Sequence, residues 1–300
     1  MKSLDIILGL ALAIGGLLVP LSGDAYLMGL VFQLAMWVAL AQSWSILSST
    51  TGYLSLGHAV FVGIGAYVCV LLTGTVPFAA ALAAGALAAA LFAGVIGMPA
   101  LRVQGPYFVI LTYGLAELVR NVVMRIESAI GSFGRMIFLV PSFEVLVWCM
   151  VGLGILATIG AYAARHSAFG AGLAAIRENE VAAETVGVPV ARLKLLAFIA
   201  SAVIPGAVGG LSVLRTGYFE PAQAFDPVIS FTIVTMALVG GTETVRGPVL
   251  GALGFTLLSE ALWSSLPQLY MIVLGLTLIA FILFVPKGLS GLADRMTGRS

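Results

Sequence analysis

Charge is scarce in this chain. Asp, Glu, Lys and Arg make up 9% of its 300 residues and apolar residues 61%, whereas globular domains run at roughly a quarter charged. So little charge cannot cover a surface facing water, and the solvent expected is lipid. Lysine is rarer still: Lys2, Lys194 and Lys287, none of them after a glycine. A phosphate-cradling loop needs Gly-Lys at its core, so ATP binding in that mode is excluded. The two histidines and the two cysteines form no cluster, which leaves no metal centre to expect. Cys69 and Cys149 lie in apolar runs and read as small core hydrophobes. The net charge of +1 comes with scattered basic residues, so no nucleic-acid stripe is present. No Ser/His or paired-Asp arrangement stands out, no cofactor is implied, and the chain does not read as an enzyme. No period-two pattern persists, which argues against a membrane barrel.

What remains is long apolar runs. A spanning helix needs about 20 mainly apolar residues. The chain offers about ten (range eight to eleven), at roughly 4–22, 27–47, 54–74, 77–99, 106–126, 144–164, 195–216, 227–242, 249–265 and 268–286. The fold class expected is all-α, a polytopic transmembrane bundle forming a single domain over 1–300. Residues 4–20 also have the look of a signal peptide, but an uncleaved first helix is the preferred reading. The span at 54–74 carries Gly57, Gly63, Gly65 and Gly74 and reads as broken or re-entrant, which a membrane tolerates only inside protein or beside water. Small residues such as those of 79–93 let helix backbones approach closely.

Basic residues set the orientation. With a cytoplasmic N-terminus, Lys2, Arg102, Arg165, Arg177, Arg192, Lys194, Arg246, Lys287, Arg295 and Arg299 fall inside. Arg120, Arg125, Arg135 and Arg215 fall outside or near it, with Asp24, Glu127, Glu220 and Asp226. Both termini are then cytoplasmic.

One segment, 165–194, is dense in charge. It carries Arg165, Arg177, Arg192, Lys194, Glu178, Glu180 and Glu184. A helix is expected from about Leu173 to Val186, with Leu173, Ile176, Ala183 and Val186 near one face. Gly187 ends it and Pro189 prevents continuation. The acidic outer face argues for docking a soluble partner rather than lying on anionic lipid.

The run AIRENEVAAETVGVPVARLKLLAFIASAVIPGAVGGL closely resembles the cytoplasmic loop and next span of the branched-chain amino acid permeases of the ABC transporter superfamily, the LivM/LivH family, and its M-type chain in particular. GYLSLGHAVFVGIGAY at 52–67, GGTETVRGPVLGA at 240–252 and FVPKGL at 284–289 are similar to three further stretches in the family's order. The resemblance covers about 30–290. It implies a multi-pass importer subunit of the bacterial inner membrane, without chemistry of its own. Partners implied are cytoplasmic ATPase subunits, a second permease subunit (an H-type heterodimer), a periplasmic substrate-binding protein and the surrounding lipid. Ile176, Arg177, Glu178, Asn179, Glu180, Ala182, Ala183, Glu184 and Gly187 match the family's coupling segment, with Val181 where its pattern opens on Glu. Glu243 and the outer stretch 128–134 depart from the family, and urea, short amides or aromatic acids are alternative cargoes.

Polar residues inside apolar spans are functional candidates. Ser55, Gly57, His58, Tyr107, Thr112 and Glu117 are the pathway candidates. For His58 two readings stand open, a neutral imidazole bonded to a neighbouring helix and a pore-lining group. Glu117 is expected to pair with Arg120 one turn on. Glu260 has no assigned role, and for Arg215 with Glu220 two readings stand open, a contact with a binding protein and a solvated rim. An ion-coupled secondary transporter is the competing class. It requires matching halves with broken helices, and no internal repeat is evident in the sequence.

Overall fold

The computed structural model describes residues 18–131 and 134–265, with Gly16, 275–276, 288–289 and 291. The expected spans at 4–22 and 268–286 lie largely outside the described residues. The remaining eight expected spans are all helical. They are α1 (Ala25–Thr51), α2 (His58–Leu72), α3 (Phe78–Ala100), α4 (Pro106–Ala129), α5 (Phe143–Arg165), α8 (Val190–Thr216), α10 (Pro227–Gly240) and α11 (Arg246–Ser265). Between them come α6 (Ala168–Glu178), α7 (Glu180–Thr185) and α9 (Pro221–Ala224). Among the described residues six stretches are long and apolar enough to cross a membrane: α1, α3, α4, α5, α8 and Pro221–Gly240.

Two helices are too short. α2 has 15 residues and α10 has 14, about 22 Å each, against a hydrocarbon core of about 30 Å. Each is completed by a re-entrant stretch. After α1, the segment 52–57 turns back along that helix, and the Trp44 indole donates to the Ser55 carbonyl at 2.9 Å. α2 therefore starts inside the bundle rather than at 54, because 52–57 is neither helix nor strand. After α8, residues 217–226 descend until Phe225 is buried beside Gly63 of α2. There Asp226 caps α10, accepting from Val228 N at 2.9 Å. The expected outer position of Asp226 is thus corrected: it starts a helix within the bundle. The two buried starts touch, since Ala59 N donates to Ser230 Oγ at 2.9 Å.

An inverted repeat follows. α1 and α8 both have 27 residues and both end on a glycine with left-handed backbone, Gly52 and Gly217. Each is followed by a re-entrant stretch, a short helix and a longer helix of 23 or 20 residues. The two units run in opposite senses. The Arg215 guanidinium, at the end of α8, lies 4.8 Å from the ring of Phe32 near the start of α1. The sequence shows no such repeat because the halves share lengths and breaks rather than residues. Broken helices at matching positions therefore no longer separate an importer permease from a secondary transporter.

Packing explains the small residues. α8 lies against α2 and α3, and α1 against α5. A Cβ on Gly65 would strike the carbonyl of Gly206, and one on Gly209 the carbonyl of Val62. Such close approach supplies van der Waals contact where lipid supplies no hydrophobic drive between helices. At one end of the bundle, antiparallel β1 (Arg135–Met136) and β2 (Tyr218–Phe219) clip two loops together.

Candidate functional site

The charge-dense segment folds as two helices, not one. Asn179 breaks the run with extended backbone (φ −161°, ψ 111°), and its side chain accepts from Ala182 N at 3.0 Å. Asn is among the best N-caps because its carbonyl satisfies an otherwise unpaired first-turn amide. α7 then stops as expected at Gly187, whose φ of +88° suits glycine. Gly187 N donates to the Glu184 carbonyl and Val188 N to the Ala183 carbonyl, both at 3.0 Å, the paired bonds of a Schellman ending.

Leu173, Ile176 and Ala183 are buried as expected. Val186 is not: it is 78% exposed, and Val181 is 71% exposed. The end of α7 at Thr185 releases Val186 from the packed face. Glu178, Ala182, Glu184 and Gly187 are also exposed. The outermost surface is therefore two valines with acids on either side. Next to it, Phe169, Gly172, Val188 and Leu193 line an open apolar groove of about 500 Å³.

Glu180 turns inward. Its Oε1 takes a bond from Lys194 Nζ at 2.5 Å and its Oε2 one from Tyr53 OH at 2.7 Å. Lys194 spends its other donors on Tyr53 OH (3.0 Å) and the Leu101 carbonyl (3.1 Å). Burial pushes the Glu180 carboxyl up, but the bonds from Lys194 and Tyr53 outweigh it and hold the group below the ordinary carboxylate value. At the other end of the segment, Arg165 donates to Ser49 Oγ and to the carbonyls of Thr242 and Glu243. Arg177 Nη1 reaches the Ser49 carbonyl at 2.8 Å. In the sequence Arg165 and Lys194 read as orientation charges and Tyr53 carries no signal, because the partners that Arg165 and Tyr53 meet lie far away along the chain.

The pathway candidates split. Ser55, Gly57, His58 and Thr112 are buried together. Thr112 Oγ1 accepts from Leu56 N at 3.1 Å and Ser55 Oγ from Gly57 N at 3.2 Å. These bonds satisfy the amides of a stretch that has no helix to do so. His58 stands edge-on to Phe61 with ring centroids 5.6 Å apart. Both of its ring nitrogens lack a hydrogen-bond partner among the described residues. The expected bond to a neighbouring helix is therefore not seen there, and the ring is fully buried within the chain.

Tyr107 and Glu117 lie instead on the outer faces of α4. Glu117 pairs with Arg120 at 3.4 Å, as expected. Tyr113, Glu117, Arg120, Asn121 and Ser128 form a polar stripe at helical spacing. The Tyr113 ring meets Phe231 of α10 at 5.8 Å. At the far end of the bundle, Arg135 Nη2 holds Glu127 Oε1 at 2.7 Å and Tyr67 OH donates to the same oxygen. The bond to Glu127 raises the Arg135 pKa. Glu260 accepts from Tyr26 OH at 3.0 Å. Arg215 stacks on Phe32 and Phe143.

The family described as branched-chain amino acid transport system, permease component, matches residues 26–282. The high-affinity branched-chain amino acid transport system permease protein LivM of Escherichia coli (strain K12) is 25% identical, over 84% of this chain and 67% of its own length. A probable branched-chain amino acid transport permease protein LivH of Methanocaldococcus jannaschii is 27% identical over 53% of this chain and 52% of its own. The xylose transport system permease protein XylH of Haemophilus influenzae is 29% identical over 39% of this chain and 32% of its own. No solved structure matches.

Proposed function

The chain belongs to the permease family of branched-chain amino acid transport systems, and from that membership we propose that it carries branched-chain amino acids inward across a bacterial inner membrane. It is the membrane subunit of an ATP-binding-cassette importer. The observation that carries this reading is the family match over 26–282, joined by relatives named for the same cargo across most of the chain. The sugar permease aligns with a much smaller share.

The coupling segment faces the cytoplasm in this reading. Arg102, Arg165, Arg177, Arg192, Lys194 and Arg246 cluster at its end of the bundle, while Asp24, Glu127 and Glu220 lie at the other. Cytoplasmic ATPase subunits dock on the knob formed by Val181, Val186 and Gly187 with Glu178 and Glu184. Exposed valines beside acids suit a protein cleft better than an anionic membrane face. A second permease subunit, of the H type, covers α4. The Glu117–Arg120 pair is about a third exposed and Asn121 is exposed in the single chain, and lipid is a costly neighbour for them. The translocation path then runs between the two subunits along this stripe. A periplasmic binding protein delivers cargo at the end that carries Arg135 and Glu220.

ATP closes the ATPase pair, the docked segment moves as a body, and the attached helices switch the open side. The test is uptake of labelled leucine into proteoliposomes holding the full complex. Uptake is expected to require ATP and the binding protein and to persist with a proton ionophore present. Xylose uptake without leucine uptake overturns the cargo. Leucine uptake abolished by the ionophore, with ATP maintained, overturns the energy source. For the docking surface, Val186→Glu is expected to remove ATPase co-purification. If the subunits still co-purify, α7 does not dock.

A further inference from the structure

We propose that Glu180, Lys194 and Tyr53 form a latch, through which displacement of α7 is passed to the re-entrant stretch 52–57 and so to the buried start of α2. The proposal rests on the reading of α7 as the docked element.

The geometry is closed. An ammonium has three donors, and Lys194 directs them to Glu180 Oε1, Tyr53 OH and the Leu101 carbonyl. Glu180 uses both oxygens, one for Lys194 and one for Tyr53. The Lys194 side chain is 6% exposed and that of Glu180 23%, so salt screens the pair weakly. Removing one partner strands a charge in a poorly solvated place. The latch is therefore stiff, whereas α7 otherwise holds to the molecule chiefly through buried Ala183.

Each attachment leads somewhere. Tyr53 stands near the start of the stretch whose far end is Gly57, the residue before α2. Trp44 and Thr112 pin that stretch at Ser55 and Leu56. These bonds join it to α1 and α4, so it does not yield on its own. Leu101 caps α3 and begins the turn into α4, the helix with the polar stripe. A shift of α7 thus reaches both a half-helix and the helix assigned to the pathway wall. Glu180, Lys194 and Tyr53 are positioning residues: none of them is on the docking knob or on the stripe.

The readout is uptake per ATP hydrolysed, which folding alone does not change. The full complex is reconstituted with Glu180→Gln or with Tyr53→Phe, the latter removing a single hydroxyl should the first variant not assemble. Co-purification of the ATPase is expected to stay at the wild-type level. Leucine taken up per ATP is expected to fall about tenfold, within the usual range of coupling between two sites. Wild-type uptake per ATP in Tyr53→Phe, with the ATPase bound, overturns the latch and leaves the docking reading standing. Loss of ATPase binding in Tyr53→Phe also overturns it, because the hydroxyl then serves docking. Failure of the docking reading shows separately, as ATPase binding that survives Val186→Glu.

Discussion

Asn179 carries more structural information than its neighbours in the coupling segment. The hydrophobic spacing of Leu173, Ile176 and Ala183 is compatible with one continuous helix, and that spacing hid the break. The signal was present in the preference of Asn for helix starts, but it competed with an apolar period that runs through it. Replacing Asn179 by Ala removes the bond to Ala182 N and is expected to cost about 1 kcal/mol locally. Hydrogen exchange at the amides of 180–185 is the measurement: faster exchange in Asn179→Ala and near wild-type rates in Asn179→Ser. The titration of Glu180 gives a second residue-scale expectation. Its folded pKa is depressed, so its contribution to stability is full above the unfolded value of about 4.3 and is lost as pH falls through the lower folded value. The thermal midpoint difference between wild type and Glu180→Gln is expected to stay constant from about pH 7 to pH 5 and to narrow below about pH 4. A difference that narrows already between pH 7 and 5 contradicts the depressed value. Tyr53 and Lys194 could not have been paired from sequence, because both bonds close over more than a hundred residues.

At the scale of elements, the sequence places helices well and half-helices poorly. The eight expected spans between 27 and 265 are helices, because apolar length is decisive in lipid. The break before α2 was visible in its glycines. The one before α10 was not, since Pro221–Gly240 is apolar enough to pass as a single span. What marks the buried start of α2 is backbone satisfaction by Ser230 and Thr112, partners distant in the chain. The crossing of α2 with α8 is the tightest test of this arrangement. A Cβ on Gly65 meets the Gly206 backbone, which has no flexible end to swing away, whereas one on Gly114 meets nothing within 4 Å. Gly65→Ala is therefore expected to destabilise by about 1–3 kcal/mol, as overpacking does. Gly114→Ala is expected to be neutral or slightly stabilising, since Ala exceeds Gly in helix propensity. Thermal midpoints in detergent decide this, and equal midpoints for the two variants would count against the packing described.

For the whole molecule, scarcity of charge and the clustering of what charge there is indicate a membrane bundle with one polar end, and both are legible without coordinates. The surface proposed to meet a second permease was only half legible. Glu117 and Arg120 were readable as a pair, but their exposure follows from how α4 sits at the edge of the fold, where little of the helix is buried. α4 has two outer faces of opposite character. Tyr113, Glu117, Arg120 and Asn121 line one, and Leu111, Leu118, Val122 and Ile126 line the other. An ion pair facing acyl chains has no water to replace its hydration, and methyl-rich positions facing water gain nothing. In the proposed importer the first face therefore turns toward the partner permease and the second toward lipid. With Cys69 and Cys149 replaced by Ala, a single cysteine at position 121 is expected to cross-link to the second permease and to react with a membrane-impermeant thiol reagent during ATP turnover. A single cysteine at position 118 is expected to do neither and to react with lipid-soluble maleimide instead. The reverse pattern places the stripe in the bilayer. The path would then have to run through the interior of each chain, where His58 is sealed off in the present arrangement.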